Sequence, residues 1–550
     1  MKKINLAIAM MALCAPLSAQ NINQSVQVTN DYVTRFADFQ KQGPVLFVPD
    51  SLYRFDYSFD YSVFETPYKG SYEFSPYQIK VRPEMRLYDG NKLFVRAGAG
   101  YSLHPQFELA WQILQEEDFA IGVFAEAGGY AGNYRRRGVD GYFPGHDLSA
   151  RLSVGGQYLR PAVRLSYNFG YEGIFAKEGG ANPTPFRSGF NSFVAAGRVQ
   201  SQVRPGNHFH YDIYAQFRHS TERGVTGDLG NRLTGENNIL VSLSGGPVLA
   251  DKYGILVDAS FELESMRGGD LNGFSEIYGE LFGGNRVASL ASVKPHLDFV
   301  LGPVHLDAGL RIDYSQLGEG KSFTLAPDVL ARMSIEDANL ELLAGVHGGQ
   351  EVQSHYDVKQ INHFSFMTGS SATISRENLR IFGGVQGHIG SRMQYAVEAG
   401  YVSYANMPLA SIYGVLPVDF KSVYGEARAS WRDERLEVDG GLCYQYMRLY
   451  GTSAAFAPPA FTAEVNGRYN WEKRIWAGAF VELATARMSL AGDGVWIPWY
   501  ANLGVTFEYR LDSRWTVWGE AGNLAGMAIE RIPGFVEKSP YLTAGLTFKL

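Results

Sequence analysis

The chain has 550 residues, 45% hydrophobic and 19% charged, with a formal net charge of −7. This acidic balance, without a basic stripe or a recognition motif, excludes a nucleic-acid binder, and no apolar run beyond the N-terminus is long enough for a spanning helix. Gly at 62, Tyr at 33 and Phe at 34 residues, without helical periodicity, suit one wide sheet with aromatic girdles.

Lys2 and Lys3 precede the apolar run 4–13, and Leu17-Ser18-Ala19 offers a cleavage site before Gln20. This is the pattern of a signal peptide over 1–19. Leu13 stands before Cys14 where lipidation needs a small residue, and cleavage leaves Cys443 as a lone thiol with no internal disulfide. Residues 20–90 form a short N-terminal segment, a small plug or the first strands. Within it, Tyr53, Phe55, Tyr57, Phe59, Tyr61 and Val63 alternate with polar residues as a strand does. A second run over 74–88 is interrupted by Pro76 and Pro83, which suits an edge or a strand mouth.

From residue 91 onward, runs of about ten to fourteen residues keep period-two alternation, the length a membrane-crossing strand needs. Phe209, Tyr211, Ile213, Ala215 and Phe217 oppose His208, His210, Asp212, Tyr214, Gln216 and Arg218. Ile255, Val257, Ala259, Phe261 and Leu263 oppose Asp258, Ser260, Glu262 and Glu264. Cys443 falls on the polar face with Glu437, Asp439 and Gln445. Connections alternate in length. Tight ones fall at 89–91, 116–118, 160–161, 204–207, 250–253, 337–338, 390–392, 432–435, 470–474 and 511–513. Long ones fall at 131–146, 174–188, 220–236, 268–285, 348–372, 404–421, 449–460, 489–498 and 523–540, and His104-Pro105 breaks the rule. Short periplasmic turns and long external loops are the signature of an outer-membrane barrel. The expectation is all-β: a transmembrane antiparallel β-barrel over 91–550 of about 22 strands, within about 14 to 24. Wall side chains cannot fill so wide a lumen, and its face bears Asp, Glu, Arg, His and Ser, so it holds water or something that plugs it.

The last ten residues read YLTAGLTFKL. Leu542, Ala544, Leu546, Phe548 and Leu550 share one face, the expected lipid face, with Phe209 and Tyr211. The segment resembles the C-terminal β-signal read by the barrel-assembly machinery: Gly545, Phe548 and Leu550 match, and Ala544 stands where a polar residue is usual. That resemblance implies insertion by this machinery, a location in the cell outer membrane, and contact with outer-membrane lipids.

LFVRAGAGYSLHP at 93–105, PHLDFVLGPVHLDAGLRIDY at 295–314, APDVLARMSIEDANLELLAGVHGG at 326–349 and GEAGNLAG at 519–526 resemble barrel strands of TonB-dependent receptors, in forms found in Bacteroidota. The resemblance implies transport across the outer membrane. A full receptor of that family carries a plug of well over a hundred residues behind a TonB box. Here about 70 residues separate the leader from the barrel, and QSVQVTND at 24–31 is only faintly similar to a TonB box.

Few residues suggest chemistry. His208 and His210 share a strand face with Asp212 and could ligate a metal, although a polar lumen wall explains them as well. Arg135, Arg136 and Arg137 fall in an external loop, suited to lipopolysaccharide phosphates or an anionic ligand; a solvated loop is the plainer reading. Loop 348–372 carries Glu351, His355, Asp357, His363, Phe364 and Phe366. It is long enough to fold into the lumen as a constriction or lid, or to remain a surface loop. His355 and Asp357 join the three arginines as candidate external-loop ligand or lipid contacts. No G-x-S-x-G, P-loop, EF-hand, CxxC or HExxH pattern occurs, so no catalytic residue, cofactor or metal is expected. The leading expectation is a non-enzymatic barrel acting in transport, its lumen closed by the head or an infolded loop. The alternative is a non-conducting accessory subunit of an outer-membrane assembly or secretion complex, docked to a lipoprotein or another partner. A hydrolase with a Ser, His and acid in the lumen is a third.

Overall fold

Strand alternation dictates the architecture. In the computed structural model the described residues are 92–550, except 102, 117, 137–139, 178–186, 202–208, 226–230, 250–252, 268–284, 336–337, 366–372, 412–413, 451–452, 454 and 538–539. The leader, the 20–90 head, the 89–91 turn, His208, Arg137 and Phe366 lie outside them.

The strands are β1 (Leu93–Tyr101), β2 (Gln106–Gln115), β3 (Phe119–Arg136), β4 (Phe143–Leu159), β5 (Val163–Lys177), β6 (Arg187–Ser201), β7 (Phe209–Val225), β8 (Asn231–Leu249) and β9 (Tyr253–Arg267). They continue as β10 (Asn285–Leu301), β11 (Val304–Leu317), β12 (Gly320–Ile335), β13 (Leu340–Gln353), β14 (Thr373–Ile389), β15 (Met393–Ser411), β16 (Gly414–Arg432) and β17 (Leu436–Leu449). The series ends with β18 (Phe461–Trp471), β19 (Ile475–Ala484), β20 (Arg487–Met488), β21 (Trp496–Ile497), β22 (Tyr500–Arg510), β23 (Trp515–Gly522), β24 (Phe535–Glu537) and β25 (Tyr541–Lys549). One short helix, α1 (His355–Ile361), follows β13. All but β20, β21 and β24 form a closed antiparallel barrel of 22 strands, each paired with its neighbour in the ring. The two edges of β1 are taken by β2 and β25, so the ring is complete within the described residues.

The face assignment holds. Leu542, Leu546 and Phe209 are exposed on the outside, whereas Thr543 and Thr547 are buried on the lumen side. Cys443 is a free, half-buried thiol on the lumen face. Lumen-facing charges pair along the wall, as in Arg96–Glu508 at 3.0 Å and Arg198–Asp212 at 2.6 Å.

The expected external loops are shorter than the sequence suggests. Loops 131–146, 174–188, 220–236 and 404–421 shrink to 137–142, 178–186, 226–230 and 412–413, because both flanking strands run on. Apolar alternation stops where lipid stops, but the hydrogen-bond ladder does not. The β15–β16 ladder continues to Ser411–Gly414. Residues 318–319 also make a tight external hairpin, with Gly318 at φ 59°.

Closure depends on two glycines. Trp518, Gly545 and Gly98 sit side by side across β23, β25 and β1. The Trp518 indole, 1% exposed, lies over both glycines on the lumen side, with the Arg96 guanidinium 4.1 Å from its ring centre. A Cβ at Gly545 would fall 2.6 Å from Trp518 Cζ2, and one at Gly98 would strike the same ring. Leu93 N donates to Leu550 O at 2.9 Å and Leu550 N to Leu93 O at 2.8 Å, so the ladder closes at the terminal residue.

Overpacking a tight site costs about 1–3 kcal/mol or more, so Gly545→Val is expected to leave the seam open and abolish the heat-modifiable folded band on gels. Gly519→Ala is the control: its Cβ would meet only Thr543 O, at 3.7 Å, and normal folding is expected. Equal folding of both variants would refute this account of the seam. Leu546→Arg is expected to block insertion, because a cation at mid-bilayer costs about 2–4 kcal/mol; normal insertion would overturn the face assignment.

Candidate functional site

The external half of β13 leaves the wall. Its ladder with β12 ends at Val329–Val346, while its pairing with β14 continues past a bulge at His347–Gly349. The glycines at the bend are required by close approach: a Cβ on Gly348 would lie 2.9 Å from Ala326 Cβ, and one on Gly349 2.6 Å from Arg311 Nε. Beyond the bend the strand is held against the inner faces of β10–β12. Gln350 N donates to Asp313 Oδ2 at 2.7 Å, Arg311 Nη2 donates to Gln350 O at 2.7 Å, and Val352 packs on Ala288 and Leu290.

This strand delivers α1 into the lumen. Ser354 caps the helix in a capping box with Asp357. A helix of seven residues has no stability of its own, so the far wall must hold it. Two carboxylates do so. Glu222 on β7 accepts from His355 Nε2 at 2.9 Å, Lys359 Nζ at 2.7 Å and Ser188 Oγ at 2.5 Å. Lys359 Nζ also donates to Ser188 Oγ and His363 O, each at 2.9 Å, and to Ser365 O at 2.5 Å. His355 and Lys359 are fully buried and Glu222 almost so. Burial pulls the Lys359 ammonium below the usual lysine value, and the Glu222 carboxylate opposes that shift. Glu172 on β5 accepts from Tyr356 Oη at 2.8 Å, Gln360 Nε2 at 2.9 Å and Arg151 Nη2 at 3.3 Å. The Arg218 guanidinium lies 3.8 Å from the Tyr356 ring centre.

The chain then crosses to other external segments. His363 Nδ1 bonds Asp147 Oδ1 on β4 at 2.6 Å, and Asn362 Nδ2 donates to Ser411 O at the tip of β15. Phe364 stacks on Phe535 at 4.0 Å and meets Tyr134 edge-on at 5.8 Å. Phe535 begins β24, which pairs with the top of β3. Arg531, just before it, bonds Glu482 at 2.9 Å and Glu537 at 3.2 Å. Strand tips and loops thus form one connected layer at the external mouth, with α1 at its centre.

The structure distributes the residues singled out by sequence as follows. His355 is fully buried on Glu222 rather than displayed at an external surface, and Asp357 is committed to its own helix cap. Arg135 is exposed near the end of β3, with the Tyr142 ring centre 5.9 Å away. Arg136 closes β3. His210 bonds Ser201 Oγ at 3.1 Å, and Asp212 is taken by Arg198 and Gln200. No group of His, Cys, Asp or Glu has metal-binding geometry among the described residues. Sequence reasoning missed Arg151, Glu172, Ser188, Arg218 and Glu222 on the wall, and Tyr356 and Lys359 on α1. One signal was present: Ser354-x-x-Asp357 has capping-box spacing, which marks a helix inside a supposed loop.

The wall can be compared with solved structures. It has the fold of a TonB-dependent receptor barrel. The FrpB iron transporter of Neisseria meningitidis (F3-3 variant) is 11% identical with a TM-score of 0.64, over 85% of this chain and 82% of that one. The copper transporter OprC is 13% identical with a TM-score of 0.62, over 84% and 80%. The ferric-catecholate import receptor Fiu of E. coli K12 is 10% identical with a TM-score of 0.60, over 84% and 82%. No protein-family model and no curated protein sequence matches the chain.

Removing one partner from a buried ion pair costs about 3–5 kcal/mol. Glu222→Ala is therefore expected to raise amide hydrogen exchange over residues 355–361 by about a hundredfold or more, with β4–β7 unchanged. Unchanged protection of 355–361 would show that Glu222 does not hold the helix.

Proposed function

We propose that this chain is an outer-membrane transport protein whose lumen is the conduit and whose infolded 349–365 segment is the lid on its external mouth. In this reading, residues 1–19 direct export, and the assembly machinery reads Gly545, Phe548 and Leu550 for insertion. The observation that carries the proposal is the helix held inside the lumen by Glu172 and Glu222. A structural wall has no need of a buried clamp across its own opening, whereas a conduit needs one that can release. Support also comes from the fold shared with structures titled as iron and copper transporters. Cargo would engage the external layer, compete for its hydrogen bonds and free α1, as lids act in other binding proteins.

The test is solute influx into liposomes containing the purified full-length protein. Glu172→Gln/Glu222→Gln is expected to raise influx about tenfold or more over wild type, because each lost charged hydrogen bond weakens the lid by about 1.5–3 kcal/mol. Equal influx through both proteins would remove the lid from the mechanism. Silence from both, with a stoichiometric lipoprotein co-purifying from the native membrane, would replace transport with the accessory-subunit reading.

A further inference from the structure

The outside of the wall carries a basic belt at its external end. Strand alternation defines the outward positions on β3–β9: Leu152, Phe169, Phe193, Phe217, Val241 and Phe261 are exposed there on the lipid side. The same faces, followed toward the external end, reach Arg135 on β3, His146 on β4, Lys177 on β5, Arg187 on β6, Arg223 on β7 and Arg267 on β9. The register makes them neighbours. Lys177 is the partner of both His146 and Arg187, and Arg223 is the partner of Gly189, two residues from Arg187. Arg267 is the partner of Gly235, which pairs with Thr221, two residues from Arg223. Arg135, Arg187, Arg223 and Arg267 are exposed. Among the described residues neither Lys177 nor any of these arginines forms an ion pair, and no carboxylate occupies an outward position on β3–β9.

Their height matters as much as their sign. On β9 the outward run is Tyr253, Ile255, Val257, Ala259, Phe261 and Leu263, then Ser265 and Arg267. At about 3.4 Å per residue and a tilt near 40°, the run from Tyr253 to Leu263 rises about 26 Å. That matches the apolar band of an outer-membrane barrel, about 25 Å tall. Arg267 then stands about 10 Å above the band by the same arithmetic, and Lys177 follows directly on Phe175. This is headgroup depth. Like charges directly opposite across a ladder repel, so Lys177 beside Arg187 is unfavourable unless an anion lies between them. A guanidinium fork suits phosphate oxygens in particular.

We propose that this belt seats the phosphate groups of anionic lipid in the external leaflet around the barrel. The proposal rests on the membrane placement and is independent of transport.

Wild type and Arg187→Gln/Arg223→Gln/Arg267→Gln are purified from native membranes in a non-ionic detergent, and bound phosphorylated lipid per barrel is counted by native mass spectrometry. Arg435→Gln/Lys473→Gln/Arg514→Gln, three exposed cations at the short-turn end, is the control. Heat-modifiable mobility checks that each barrel is folded. The belt variant is expected to lose bound lipid about tenfold or more, with the control unchanged, since each headgroup contact by a Lys or Arg adds to affinity. Retention of lipid by the folded belt variant, or equal loss from both variants, overturns the proposal. Thermal stability separates the lipid from free phosphate. Anionic phospholipid is expected to raise Tm in wild type and not in the belt variant, while inorganic phosphate and zwitterionic lipid leave both unmoved. An equal rise with inorganic phosphate would make the belt a phosphate site and overturn the lipid assignment.

Discussion

Backbone hydrogen bonding in hydrocarbon is the constraint on which this structure depends. No water reaches that region, so every N–H and C=O must find a partner in the sheet, and an open edge is not tolerated. The ring therefore has to close, and it closes between β25 and β1. Gly98 and Gly545 face each other there under the Trp518 ring, and the ladder runs on to the terminal Leu550. Gly545 has a packing reason of its own: it lets an indole lie over the seam.

A closed ring of 22 strands creates a second problem, because its interior is too wide for side chains to fill. The chain answers by folding its own external segments inward. β13 detaches from β12 where its ladder stops at Val346, and the detached strand recovers its hydrogen bonds from Asp313 and Arg311. The polar lumen face makes this possible, since an apolar wall would offer no partners to an incoming backbone. The hydroxyls, carboxylates and guanidinium groups that water would otherwise solvate on β5–β7 and β10–β12 become the docking surface for β13 and α1.

The wall was largely legible in the sequence, because two-residue alternation and the rhythm of connections follow from the solvent on each side of a strand. The lipid face at Leu542, Leu546 and Phe209 could be named in advance for that reason. The lengths of the external ends could not. Above the membrane both faces of a strand meet polar surroundings, so 220–236 looked like loop although β7 and β8 reach Val225 and Asn231. The clamp was illegible for a related reason. Glu172 and Glu222 sit at inward positions on strands whose other inward positions are also polar, and nothing local separates a carboxylate that holds a helix from one that meets water. Their partners lie more than a hundred residues away, as in Glu222 with His355 and Glu172 with Tyr356.

The chemistry of the clamp makes the docking of α1 cooperative. A buried ion pair contributes little net stability because desolvation offsets attraction, yet losing one member is costly. Glu222, Lys359, His355 and Ser188 thus form a unit that is either complete or strongly disfavoured. α1 adds to this all-or-none behaviour, because seven residues cannot stay helical once the wall lets go. Glu236, Glu262 and Glu264 lie beside Arg218 on the neighbouring strands, with Glu236 and Glu264 fully buried and within electrostatic reach of each other. Glu236 also lies within electrostatic reach of His355 on the docked helix. Release of α1, its unwinding and rehydration of the charges of the clamp therefore form a single step.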